Sequence, residues 1–241
     1  MANPIMKSME QTYTLESEPM TIKGAINKTF FLLVCLVIAA FYTWNLAAAG
    51  FLDKVGMLTT CGAIIGFVLA LFICFTKKAM NILTPLYAVC EGLFIGGVSA
   101  VYASQYAGIV MQAVLATFAV LFSMLILFQT RTIQCTEKFR SVIFTATLSV
   151  AIIYLIQFIA SFWGRGIPQI FTSSAIGIGF SVVVVLIAAF NLIVDFDFIE
   201  RGEQMMLPKD YEWYGAFGLM VSLVWLYLEI LRLLAKVNSR R

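Results

Sequence analysis

The sequence predicts an all-α membrane protein with seven transmembrane helices. Its 241 residues are 61% hydrophobic and only 12% charged, so the chain is far more apolar than a soluble domain, whose surface water must wet. Seven apolar runs each reach the roughly 20 residues that a helix needs to cross ~30 Å of hydrocarbon. These runs are continuous, whereas the strands of a transmembrane barrel alternate in polarity over about ten residues. The expected fold is therefore helical.

The seven runs follow one another with short connections. In order, they cover residues 25–48, 56–76, 82–103, 109–129, 139–163, 173–195 and 215–235. Short connections make consecutive helices run antiparallel, and none has room for a soluble domain. We therefore expect residues 25–241 to form a single transmembrane domain. Residues 1–24 are polar and lack the charged-then-apolar order of a signal peptide, which predicts a flexible N-terminal tail.

Two G-x-x-x-G patterns lie within the runs, "GAIIG" at 62–66 and "GLFIG" at 92–96. Small residues at this spacing let membrane helices approach closely. We interpret both patterns as helix contacts, with a widened pathway as the alternative.

The composition excludes several kinds of chemistry. The chain has no histidine, which removes histidine-based zinc sites, haem ligation by histidine and serine–histidine nucleophiles. Its five cysteines form no C-x-x-C pair and indicate neither a disulfide framework nor a zinc site. An intramembrane aspartyl protease is disfavoured because the G-x-G-D context is missing. We expect no enzymatic activity and no cofactor, and any pH response must come from carboxylates.

The basic residues predict an orientation. Loops on the side of the N-terminus carry seven lysines and arginines, and loops on the other side carry two. The positive-inside rule then places the N-terminus in the cytoplasm. The basic C-terminal residues argue the other way.

Acidic residues within the apolar runs are the candidate functional groups, because an ionised carboxylate in the bilayer costs several kcal/mol and usually faces a bundle interior or a wet cavity. Glu91 lies near the middle of the third run. It is either a packing residue or part of an ion or proton path. Asn191 and Asp195 are four residues apart, so they share one helix face and form a polar stripe.

The remaining acids have simpler alternatives. Glu229 is one turn before Arg232 in the seventh run, where the two could form an ion pair on the helix surface. Asp197 points to a different face from Asp195. Together with Glu200 and Glu203, it is typical of a solvated helix end.

Four stretches carry a family resemblance: "VDFDFIERG" at the end of the sixth run, "EWYGAFGLMVSLVWLYLEILRLLAKV" in the seventh, "MTIKGAINKTFFLL" and "EGLFIGG". With them the chain resembles the Bax inhibitor-1 family, in particular its bacterial YccA-like branch. The resemblance implies three antiparallel helix pairs around a central seventh helix. It also implies a pH-sensitive calcium leak controlled by two facing acids, and a location in the bacterial inner membrane.

Carried over residue by residue, Asp195 fits the first acid of the family motif, and Glu229, after Tyr227 and Leu228, fits the second with Glu in place of Asp. The resemblance thus implies a gating carboxylate pair, Asp195 and Glu229, which could also bind calcium. The other polar residues expected to line or support the pathway are Glu91, Asn191, Asp197, Arg201 and Arg232.

The level of the two acids in the bilayer stays open. If the last helix begins near Tyr211, Glu229 lies about 27 Å along it at 1.5 Å per residue, whereas Asp195 is near the end of the sixth run. A sixth helix that continues through Gly202, or a seventh that begins near Ala216, would reduce this mismatch. Glu91 is an alternative partner for either acid.

The leading functional hypothesis is a channel-like protein that passes calcium or other cations slowly and is gated by protonation of the carboxylate pair. The alternative, implied by the YccA-like resemblance, is an interaction protein that serves as substrate or modulator of a membrane-anchored AAA protease. In that case the N-terminal tail is the segment that the protease would grip. Expected partners are membrane lipids and cations, and no nucleic acid.

Overall fold

The computed structural model describes residues 18–76, 79–161 and 172–240. Within these ranges the chain forms seven helices, each long and apolar enough to cross a membrane. They are α1 (Ile22–Ala48), α2 (Leu52–Phe75), α3 (Met80–Gln105), α4 (Ile109–Gln129), α5 (Glu137–Ser161), α6 (Ala175–Gln204) and α7 (Tyr211–Asn238). The prediction of an all-α, multi-pass membrane protein is confirmed.

Local sequence explains where several helices begin. The hydroxyl oxygens of Thr21 and Ser174 accept hydrogen bonds from the backbone N–H of Gly24 and Gly177, which caps α1 and α6. Gly108 precedes α4 with a φ of 75°, a left-handed conformation that glycine adopts without steric cost. The odd-numbered helices begin on the side of the bundle that carries the N-terminus, here called the N-terminal side.

The seventh helix is the centre of the bundle, as expected. α7 packs against α1, α3, α4 and α6, and it is the most buried of the seven helices. α2 lies outside on α1 and α3, and α5 lies outside on α6. The pairing is not purely between chain neighbours, because α1 packs more extensively on α3 than on α2.

Glycines explain the close approach of α1 and α3. A Cβ atom added at Gly92 would collide with the carbonyl oxygen of Leu36, and one at Gly96 would collide with the carbonyl oxygen of Ala40. At Gly62, a Cβ would lie 2.6 Å from the carbonyl oxygen of the α3 residue Cys90. Both glycine patterns therefore bring helix backbones into contact, as small residues do in membranes.

The segment before α1 is anchored. Met20 is buried, and its backbone N–H donates to the carbonyl oxygen of Leu207, 2.7 Å away in the α6–α7 turn. The Met20 side chain fills the space beside Gly202 and Gly215. The expected flexible tail therefore does not extend to residue 24, because an apolar side chain at position 20 has a buried place to pack. Residues 1–17 of that tail lie outside the described residues.

Candidate functional site

Asp195 lies in the interface between α6 and α7. The side-chain hydroxyl of Ser222 is its neighbour on α7, and a Cβ atom added at Gly218 would lie 3.3 Å from Asp195 Oδ1. Glycine at position 218 thus leaves room for the carboxylate. Asp195 Oδ2 is buried and has no hydrogen-bond partner within the described part of the chain. Because buried polar atoms are nearly always hydrogen-bonded, this orphaned oxygen marks a functional candidate.

Asn191, one turn before Asp195, has other partners. Its side-chain amide donates to the Thr147 hydroxyl on α5 at 2.8 Å and to the Ile187 carbonyl oxygen at 2.9 Å. Asn191 therefore links α6 to α5, and its side-chain N–H groups are not directed at Asp195.

Glu229 belongs to a second polar cluster. It is 1% exposed and accepts hydrogen bonds from the Tyr154 hydroxyl on α5 and from Arg232 Nη1, each at 2.8 Å. Arg232 also donates to the Tyr154 hydroxyl at 2.7 Å. The ion pair between Glu229 and Arg232 that the sequence suggested is present. Its carboxylate is buried, with the Tyr154 hydroxyl as a second partner, whereas the Arg232 side chain is partly exposed.

Asp195 and Glu229 are not partners in this structure, and the expected carboxylate pair with its calcium site needs correction. Asp195 is nine residues before the end of α6 at Gln204, and Glu229 is 18 residues after the start of α7 at Tyr211. Ser222, which is level with Asp195, precedes Glu229 by about 10 Å along the axis of α7. Since α6 and α7 are antiparallel and joined by a short turn, residues at unequal distances from that turn cannot meet. α6 does continue through Gly202, but this does not offset the early start of α7.

Glu91 occupies a third place, between α2 and α3. Its Oε2 would lie 3.4 Å from a Cβ atom at Gly66, and the Tyr87 hydroxyl is its hydrogen-bonding neighbour. Glu91 is therefore a partner of neither Asp195 nor Glu229. No group of three or more potential metal-ligating His, Cys, Asp or Glu residues occurs in the described ranges.

Asp197 differs from the expected solvated helix end, because it is buried. Its Oδ2 accepts from Arg140 Nη2 at 2.5 Å and from Arg201 Nε at 2.9 Å. Arg201 also donates to a Glu137 side chain and to the Cys135 carbonyl oxygen, each at 3.0 Å. Two guanidinium groups neutralise the Asp197 carboxylate, and this permits its burial.

Glu200 is also engaged, since it pairs with Arg131 of the α4–α5 loop. Together with the Asp197 network, this ion pair ties the end of α6 to the loop before α5. Asp197 and Arg201 therefore belong to a charged network at the end of α6 that links this helix to α5.

Sequence reasoning missed two buried charges. Glu212, at the start of α7, accepts from Lys28 Nζ at 2.6 Å and from the backbone and hydroxyl of Thr21 at 2.9 and 3.0 Å. Lys236, near the end of α7, is buried and donates to the Gly177 carbonyl oxygen and the Ser181 hydroxyl of α6. Their partners are more than 50 residues away in the sequence, so no local pattern could have revealed them.

Asp195 therefore differs from Asp197 and Glu229, which are paired with arginines. It lies between α6 and α7 with one carboxylate oxygen that has no partner within the described residues. No curated protein matches the sequence. The family model described as "Bax inhibitor 1 like" matches residues 3–239, nearly the whole chain. The protein therefore belongs to the Bax inhibitor-1-like family of membrane proteins.

Proposed function

We propose that the protein is a slow, pH-sensitive leak channel for calcium or other cations, with Asp195 as its titrating gate residue. The observation that carries this proposal is the buried Asp195 Oδ2, which lacks a hydrogen-bond partner in the described chain. Membership of the Bax inhibitor-1-like family is consistent with a membrane function. The proposal replaces the expected pair of acids by one carboxylate beside Gly218 and Ser222.

A change of charge at Asp195 would alter the packing of α6 on α7. A protonated carboxyl group can remain between two helices with a hydroxyl neighbour, whereas an ionised one in hydrocarbon needs water or a cation. Proton binding and cation binding therefore compete for the same oxygens. Because α7 also packs on α1, α3 and α4, a shift at this interface would be felt by most of the bundle.

The test is calcium influx into proteoliposomes loaded with a fluorescent indicator, measured from mildly acidic to mildly alkaline buffer. We expect wild-type influx to vary with pH and Asp195→Asn influx to be independent of pH. The matched control is Glu229→Gln, which neutralises the other acid of the original pair and should keep the wild-type pH profile.

Three outcomes would contradict this proposal. Absence of wild-type influx would reject the leak function, and a wild-type pH profile in Asp195→Asn would reject the gate residue. A pH-independent profile in Glu229→Gln would support a gating pair of Asp195 and Glu229 instead of Asp195 alone.

If influx is absent, the alternative is an interaction with a membrane-anchored AAA protease. The segment that the protease would grip then lies among residues 1–17, because Met20 is anchored at the α6–α7 turn. Deleting residues 2–17 should abolish degradation or modulation in a reconstituted protease assay on this alternative. Unchanged protease behaviour would reject it.

We also propose a bacterial inner-membrane location with the N-terminal side in the cytoplasm. Arg131, Arg140, Arg201 and Lys209 all lie at this side of the described bundle, as the positive-inside rule favours. A cysteine introduced at exposed Met206 should then resist a membrane-impermeant thiol reagent in intact cells and react in inverted vesicles.

A further inference from the structure

A recess of about 330 Å³ opens on the outside of the bundle between α1 and α4. Phe41 of α1 and Phe118 of α4 line its mouth, and they are 63% and 47% exposed. Its floor is formed by α3 and α7, including Ser99, Leu223 and Tyr227. The recess is separate from the Asp195 site, which lies on the α6-facing side of α7.

The recess exists because α1 and α4 stand apart. Along the described lengths of these helices, no α-carbon of one lies within 8 Å of an α-carbon of the other. Both helices still pack on α7, so the gap between them has a closed floor and an open side. Glycines draw α1 towards α3, and no comparable contact draws α4 towards α1.

The walls offer little to a polar ligand. Ser99 Oγ and Tyr227 Oη are hydrogen-bonded to each other at 2.7 Å, and Thr117 Oγ1 donates to the Ala113 carbonyl oxygen at 2.8 Å. Apart from the indole N–H of Trp44, the other lining residues are apolar or glycine. A cavity with so few polar groups does not hold water well. The occupant must therefore be apolar.

The depth of the floor favours a narrow occupant over a helix. Leu223 and Tyr227 on the floor are buried, whereas Phe41 and Phe118 at the mouth are exposed. A transmembrane helix of a second copy would meet these two phenylalanines first. A flexible hydrocarbon chain is narrow enough to pass between them and reach the floor.

The depth of the recess agrees with a lipid chain. Its lining residues lie within residues 33–44, 95–99, 110–118 and 223–227, all inside membrane-spanning helices. They extend from the middle of the bundle towards the side where α4 begins. The mouth therefore faces the hydrocarbon of one leaflet, where phospholipid acyl chains are the abundant apolar species.

We propose that this recess is a binding site for one acyl chain of a membrane phospholipid, drawn from the leaflet on the side opposite the N-terminus. The chain fills the space between α1 and α4 and contacts Leu223 and Val224 of α7. It thereby replaces the helix contact that is missing between α1 and α4. The proposal does not depend on the leak function, since it rests on shape and chemistry alone.

The test uses the full protein in bilayers that contain a phospholipid with a photoactivatable diazirine on its acyl chain. Mass spectrometry then maps the adducts. We expect the adduct yield per exposed residue to be several-fold higher at the recess than on the equally apolar outer faces of α2 and α5, for example at Phe67 and Phe144. A recess-filling variant, Val114→Phe, should lower the recess adducts several-fold and leave those on α2 and α5 unchanged.

The matched control is Leu115→Phe, on the same helix but pointing to open lipid and outside the recess lining. It should keep the wild-type adduct pattern. Val110→Phe is a second filling variant, and unchanged adducts on α2 and α5 report that each variant is folded. The proposal would be overturned if adduct yield simply followed the exposure of each residue across the protein. It would also be overturned if the recess adducts persisted in both filling variants. An absence of recess adducts together with a dimer in native mass spectrometry would overturn it too, and would assign the face to a second copy.

Discussion

Replacing Glu212 by glutamine is expected to lower the stability of the bundle by about 3 kcal/mol, the loss typical of removing one partner from a buried ion pair. The Glu212 side chain is 3% exposed and the Lys28 side chain 18%. In Glu212→Gln, the Lys28 ammonium keeps its charge but loses its counter-charge. The hydrogen bonds from the Thr21 backbone and hydroxyl would also weaken, because a neutral amide oxygen is a poorer acceptor than a carboxylate.

The measurement is thermal unfolding in detergent, followed by the fluorescence of Trp213, whose ring lies 5.0 Å from Lys28 Nζ. A loss of about 3 kcal/mol corresponds to a fall in Tm of about 6–12 °C for a chain of this size. The matched control is Glu203→Gln, since Glu203 is exposed and its one hydrogen bond within the described residues comes from the Ile22 backbone N–H. Lys28→Met combined with Glu212→Gln should recover part of the loss. If Glu212→Gln and Glu203→Gln lowered Tm by the same amount, a special role of Glu212 would be contradicted.

A second large effect is expected at Gly96. Its α-carbon faces the backbone of α1 so closely that the Cβ atom of an alanine would overlap the Ala40 carbonyl oxygen. A backbone carbonyl cannot move aside as a side chain can, so α1 must separate from α3. We expect Gly96→Ala to cost about 3 kcal/mol, at the upper end of overpacking effects, and to lower the yield of monodisperse protein.

The control for Gly96 is Gly56→Ala. Gly56 also lies within a helix, and a Cβ atom there has open space on every side. Alanine at position 56 should therefore leave stability unchanged or raise it by up to about 1 kcal/mol. Both variants can be compared by thermal unfolding and size-exclusion chromatography. Similar stability of the two would show that α1 can move away from α3 at little cost.

The spans could be predicted from the sequence because hydropathy and length decide them locally. The end of the sixth run could not. α6 continues to Gln204, beyond the apolar boundary at residue 195, since Arg140 and Arg131 from another part of the chain neutralise Asp197 and Glu200. The extension depends on charges that meet only after folding.

For the candidate site, the residue could be predicted from the sequence, but its surroundings could not. The position of Asp195 in a membrane-length run marked it as a carboxylate that needs an interior face. Its neighbour could not be predicted, because the antiparallel register of α6 and α7 depends on the length of the turn between them. That register places Ser222 beside Asp195, and the packing of α5 places Tyr154 beside Glu229. The family motif matched the residue types of Asp195 and Glu229, but it carried no information on how deep each residue lies in the membrane.

The central position of α7 has a consequence for biosynthesis. The ribosome makes α1 first and α7 last of the seven helices, yet four helices pack on α7, and Lys28 of α1 is 184 residues away from its partner Glu212. During translation, α1, α3, α4 and α6 must therefore enter the bilayer with the faces meant for α7 covered only by lipid. We expect the arrival of α7 to be the step that converts these loosely associated helices into a stable bundle, so ribosomes stalled before residue 211 should hold a chain that proteases cut readily.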